Sequence, residues 1–192
     1  NSVVMGSQTQ TGVDASCSLA MGEQTTANGK GSVAMGSNTT VEGENSVAMG
    51  SNTTAKGINS VVMGSQTQTG VDASCSVAMG YQTHASGVYS VTMGYKTHAN
   101  GKNSVAIGEQ TTVEGENSVA MGEGTIANND NSLVIGRCNK DESDKLFIIG
   151  SGLIERNIDN ESDFKNLNIT SKTCYKLKTD IRDKIKSEDF DR

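Results

Sequence analysis

The residues of this 192-residue chain best placed to do chemistry are its two histidines, His84 and His98, which hold the same place in successive repeats, with Tyr81 and Tyr95 three positions ahead of each. Side chains repeated in step at one spacing form a ladder on a regular scaffold. Tyr81, His84, Tyr95 and His98, accompanied by Tyr89, are therefore the candidate ligand contacts, because aromatic groups concentrate binding energy on otherwise polar surfaces. Two histidines without companion carboxylates are too few to hold a metal ion, so metal and cofactor are both read as none. Neither histidine has a nucleophile near it at a distinct turn, and no glycine motif joins a strand to a helix. With no catalytic constellation, the chain reads as a protein that is not an enzyme.

The four cysteines, Cys17, Cys75, Cys138 and Cys174, do not resolve into two disulfides. Cys17 and Cys75 hold equivalent places four repeats apart, which predicts a separation of about 19 Å if the repeats stack as strands. Free thiols suit assembly in a reducing compartment or a virus better than disulfide-bonded secretion. Glu109, Glu114, Glu116 and Glu123 make an acidic band whose default meaning is a solvated face.

These residues must be positioned by something other than one large core. The hydrophobic fraction is 34%, aromatics make up 4%, and there are 22 glycines with no proline or tryptophan. That is the composition of a repeat with many tight turns. The net charge of −6 argues against an extended nucleic-acid surface, and no apolar run reaches the roughly 18 residues of a membrane span.

Counting each repeat from its serine, coils start at Ser2, Ser18, Ser32, Ser46, Ser60, Ser76, Ser90, Ser104, Ser118 and Ser132. The spacing is 14 throughout, except that the coils opening at Ser2 and Ser60 are longer by two. The text of 1–18 recurs at 59–76, so a block of four coils was itself duplicated. All eight methionines occupy position four, and position two is Val, Leu or Phe. Alternation with Ser and Ala is the period-two signature of a strand. Glycine follows position four in every coil, and a second glycine seven positions later divides most 14-residue coils into two strands and two corners. Asn129 stands where the ninth coil lacks that second glycine, as the next residue most tolerant of positive φ.

The fold expected is an all-β parallel solenoid of stacked 14-residue coils, about 4.8 Å apart and roughly 50 Å long for ten coils. Hydrophobicity assigns Val and Met of positions two and four to the interior, with Thr of position eight and Ala or Val of position ten as a second inward stripe. Position three then points outward. Ala34, Ala48, Ala78, Ala106 and Ala120 are on this reading a small apolar stripe where copies of the chain meet, which predicts an oligomer.

The phrases Asn-Ser-Val-Ala-Met-Gly at 45–50 and 117–122 and Asn-Ser-Val-Ala-Ile-Gly at 103–108, with Thr-x-Ala-x-Gly between such phrases, resemble the head repeats of YadA-like trimeric autotransporter adhesins. The resemblance covers about residues 1–150 in phase. It implies a left-handed β-roll, three copies about one axis, and an adhesive head on a bacterial surface fibre that contacts a host-surface or matrix protein or glycan. Neither the family's neck motif nor its membrane β-barrel anchor is recognisable here. Similar repeats also resemble parts of phage and giant-virus fibres, so a virion fibre serving attachment or acting as a spacer is the alternative. An ice-binding solenoid is a further rival. It needs outward Thr-x-Thr rows, which only Thr9/Thr11 and Thr67/Thr69 offer by spacing.

Texture changes near Gly152: charged side chains number 18 over 151–192, against 20 over the far longer stretch 1–150. The chain thus divides into repeats at 1–152 and a charged segment at 153–192. Leu177, Ile181 and Ile185 recur four apart, which predicts a short amphipathic helix from about Tyr175 to Lys186, suited to a neck or stalk.

Overall fold

The computed structural model describes residues 1–139 and two further strands, Phe147–Asn157 and Thr173–Lys176. Each coil contributes a strand of five residues and one of two, such as Val47–Ser51 and Thr54–Ala55. Long strands of successive coils pair in parallel with a register of one repeat, so that Val47 faces Val61, Ala48 faces Val62 and Met49 faces Met63. They build a 12-stranded sheet, which the two later strands complete, and the short strands build a 9-stranded sheet opposite. The chain is an all-β parallel solenoid with 14-residue coils, and the described residues contain no helix. Of the expected helix, Tyr175 and Lys176 lie in the last strand. The remainder falls outside the described residues.

The interior differs from the expected one, and the difference reverses a parity. Ala34, Ala48, Ala78, Ala106 and Ala120 are wholly buried within a single chain, so they cannot be an intermolecular stripe. They share the interior with Thr39, Thr53 and their equivalents, the alanines and valines of position ten, and the opening serines, all of them buried from coil two to coil nine. The residues of positions two and four point outward and are partly or largely exposed in the ten long strands from Val3–Ser7 to Leu133–Arg137. The reason is space: the two sheets of one coil are joined by such short corners that, from coil two to coil nine, the side chains between them are Ser, Ala, Thr and Val. Methionine, the more hydrophobic residue, is too long for that gap. The inward placement of positions eight and ten holds.

A core of small polar residues is stable only if its hydroxyls are satisfied. The opening serines donate to corner carbonyls, as Ser60 does to Gly57 at 2.7 Å and Ser76 to Ala73 at 2.6 Å. The threonines form a ladder, with Thr53 Oγ1 3.2 Å from Thr39 Oγ1 and Thr125 Oγ1 3.3 Å from Thr111 Oγ1. Coil seven is the exception. Among the described residues, Ser90 Oγ, Thr92 Oγ1 and Thr97 Oγ1 are buried without a partner. Thr92 takes the place that alanine holds in most coils.

The corners also differ from the expectation in detail. Left-handed backbone falls at positions seven and fourteen, on Asn38 (φ 52°), Asn52 (54°), Gln66 (55°), Asn45 (52°) and Asn59 (56°). Asn and Gln tolerate it, and their amides bond from coil to coil: Gln82 to Gln66 at 2.7 Å and Asn103 to Asn117 at 2.9 Å. The second glycine of the coil is needed for clearance rather than for φ. A Cβ on Gly43 would stand 2.1 Å from the Gly57 carbonyl oxygen. Asn129 accordingly is not among the positive-φ residues, which corrects the reason given for its presence. In the two longer coils the extra residues bulge outward, leaving Val13 and Val71 on the surface.

Candidate functional site

Two outward surfaces follow from this scaffold. The broader is the Val/Met face. Parallel pairing sets Val33, Val47, Val61 and Val77 in one column and Met35, Met49, Met63 and Met79 in the next. The later coils continue it with Met93, Ile107, Met121 and Ile135. Met93 is 40% exposed and Met121 and Ile135 are each 38% exposed. Apolar columns this long on a monomer's surface mark a contact face.

The second surface is the aromatic corner of coils six and seven. Tyr81 and Tyr95 end the long strands, in register, with ring centroids 5.5 Å apart and planes 7° from parallel. The Lys96 ammonium sits 5.1 Å over the Tyr95 ring. His84 and His98 lie past the corner, paired in register on the short sheet, with centroids 6.1 Å apart. The Gln68 amide meets His84 Nδ1 at 3.3 Å. Burial, then the neighbouring His98 and Lys56, lower the pKa of His84, so its imidazole is neutral at pH 7.

The structure therefore brings Tyr81 to Tyr95 and His84 to His98 as two columns flanking one corner. It does not add Tyr89 to them: that residue occupies the other corner of the coil, in left-handed backbone (φ 58°), and is 55% exposed. The acidic residues also separate. Glu109 and Glu123 are register partners, and Glu123 pairs with Arg137 at 2.9 Å, whereas Glu114 accepts a hydrogen bond from Asn100 at 2.8 Å. Cys17 and Cys75 are free, exposed thiols at equivalent left-handed corners, φ 61° and 56°. Thr67 and Thr69 are buried, so coil five offers no outward Thr-x-Thr row for ice.

Sequence reasoning missed the Val/Met face because it ranked side chains by hydrophobicity alone. The signal was in the size limits of the other positions. In the ten full coils position one is always serine and position three only Ala, Val or Thr, while positions two and four also admit Leu, Ile and Met. A closed core restricts volume, and an open face does not.

No group of three or more His, Cys, Asp or Glu able to hold a metal ion occurs among the described residues, and no helix there is long and apolar enough to cross a membrane. Among known families, the chain matches the YadA head domain repeat (two copies). The family model fits residues 18–39, 42–67, 76–97, 85–111, 99–122 and 114–137, more than half of the chain and all within the coils. No curated protein matches the chain.

Proposed function

From the premise that the chain belongs to the YadA head repeat family, we propose that it is the adhesive head segment of a homotrimeric surface fibre, assembled through its Val/Met face. The observation that carries this reading is the outward apolar columns, which run from coil to coil, whereas the other exposed apolar side chains, such as Val13, Ile58 and Val71, stand singly. Three copies set face to face would remove those columns from water layer after layer, and small gains per coil add along the stack. The candidate subunit contacts are Val33, Met35, Val47, Met49, Val105 and Ile107, in place of the alanines between them.

The fibre stands on a bacterial surface or on a virion, and it presents Tyr81, His84, Tyr95 and His98 to a host-surface or matrix protein or glycan. The family's membership of surface-exposed adhesins supports the location, and the stacked aromatic corner supports the contact. The test is attachment of the fluorescently labelled fragment to epithelial monolayers and to matrix-coated wells. Saturable attachment, lost when all four residues are alanine, is the expected result. A fragment that attaches to neither surface is a spacer, and attachment unaffected by the four alanines moves the contact elsewhere.

A further inference from the structure

We propose that the step between coils five and six binds a neutral sugar ring, with the open face of Tyr81 as its stacking platform. This inference rests on the aromatic corner being the ligand contact and narrows the ligand to a class. Tyr95 covers one face of Tyr81, and Lys96 lies over Tyr95. On the other side the register partner of Tyr81 is Ser65, too small to cover a phenol ring. The aromatic stack thus ends in an uncovered face, and Tyr81 is 40% exposed.

The side chains that follow Ser65 and Tyr81 in sequence, Gln66 and Gln82, are neutral and hydrogen-bonding. Gln82 Nε2 donates to Gln66 Oε1 at 2.7 Å, which leaves the Gln66 amide protons and the Gln82 carbonyl oxygen for a ligand. Past the corner, Gln68 and His84 make a second such pair at 3.3 Å. A pyranose offers a C–H face to an aromatic ring and equatorial hydroxyls to amides at its rim, and this step presents both partners. The ammonium over the stack lies against Tyr95, not against the open Tyr81 face.

The duplicated block provides an internal contrast. Coils one and two repeat the polar frame, with Gln24 Nε2 2.9 Å from Gln8 Oε1. They carry Glu23 and Thr26 where coil six carries Tyr81 and His84. The frame occurs twice and the platform once.

Saturation-transfer NMR of the purified 192-residue chain tests this, with methyl β-D-galactopyranoside and methyl N-acetyl-β-D-glucosaminide as probes. Saturation of the axial ring protons of at least one glycoside is expected, with a Kd of about 1 mM. Tyr81→Ser/Tyr95→Ser, which installs the serine found at this position in coils three to five, should weaken binding about tenfold or more, while Tyr81→Trp retains it. Glu23→Tyr/Thr26→His should raise the stoichiometry from one site to two. No transfer to either glycoside at about 10 mM, or unchanged affinity in the double serine variant, overturns the inference. So does a double serine variant whose mass in light scattering falls while its sugar affinity holds, since the tyrosines would then belong to a subunit contact. Cell attachment through the corner without glycoside binding sinks the sugar inference alone, and glycoside binding by a chain of single-chain mass sinks the trimer alone.

Discussion

Replacing Gly50 with alanine should cost about 4 kcal/mol, although it adds one methyl group at a partly exposed position. Gly50 has φ +135°, and a Cβ built there would lie 1.9 Å from the Gly64 carbonyl oxygen and 2.9 Å from its carbon. Contacts of a real Cβ essentially never fall under 3.0 Å, so coils four and five would have to part by roughly 1 Å. The obstacle is backbone, which cannot rotate aside. A separation of about 1 Å takes the neighbouring ladder bonds, such as Val47 N to Ser60 O at 2.9 Å, beyond bonding range. Two or three such bonds at about 1 kcal/mol each, with about 1–2 kcal/mol for a side chain in that backbone region, give the figure. Gly31→Asn is the control. Its φ is +66°, its Cβ would meet only the Asn45 side chain, with the amide oxygen at 2.6 Å, and asparagine is the usual residue at that corner. It should fall within about 0.5 kcal/mol of the parent or stabilise slightly. Urea unfolding at one fixed protein concentration measures both. If Gly50→Ala unfolds within about 1 kcal/mol of the parent, coil contact at this glycine is not what limits the residue.

Three further outcomes are expected. Thr92→Ala should stabilise the chain by about 1 kcal/mol in the same urea assay, because it removes a buried hydroxyl that has no partner; a destabilised variant would mean that a bound water satisfies it. Since the folded pKa of His84 lies below the ordinary 6.5, the unfolded chain takes up the proton first. The stability that neutral His84 provides is present above pH 6.5 and is lost as pH falls through the lowered folded value. His84→Gln, the residue at this position in coil five, should flatten that part of the melting temperature profile, and an unchanged profile would refute the assignment. Ala48→Asp should unfold the coil, since Ala48 is completely buried between Ala34 and Val62 and a carboxylate there has no partner. A melting temperature equal to that of the parent would restore the outward assignment of position three.

The architecture was legible in the sequence because a period of 14, a period-two strand and recurring glycines each leave a mark that needs no tertiary knowledge. Coil boundaries, the strand and corner count and the pairing of Tyr81 with Tyr95 follow from spacing alone. What was not legible was which face of Ser-Val-Ala-Met closes the coil. Period two fixes that Val47 and Met49 share a side but not which side it is, and a one-residue choice inverts every side chain. Ranking by hydrophobicity answered for a wide core, and the core here is narrow enough to exclude methionine. Tyr89 was misplaced for a related reason: nearness in sequence suggested one ladder, but a residue at position fourteen turns a different corner from residues at six and nine.

The central claim, that the outward Val/Met columns join three chains, is tested most directly by light scattering coupled to size exclusion on the parent chain and on Met49→Lys/Ile107→Lys. The parent should show three times the single-chain mass of 20.1 kDa, and the variant should fall to 20.1 kDa with its strand circular dichroism retained. A parent of 20.1 kDa at micromolar concentration would contradict the trimer, and a variant that keeps the threefold mass would contradict the Val/Met face as its seam.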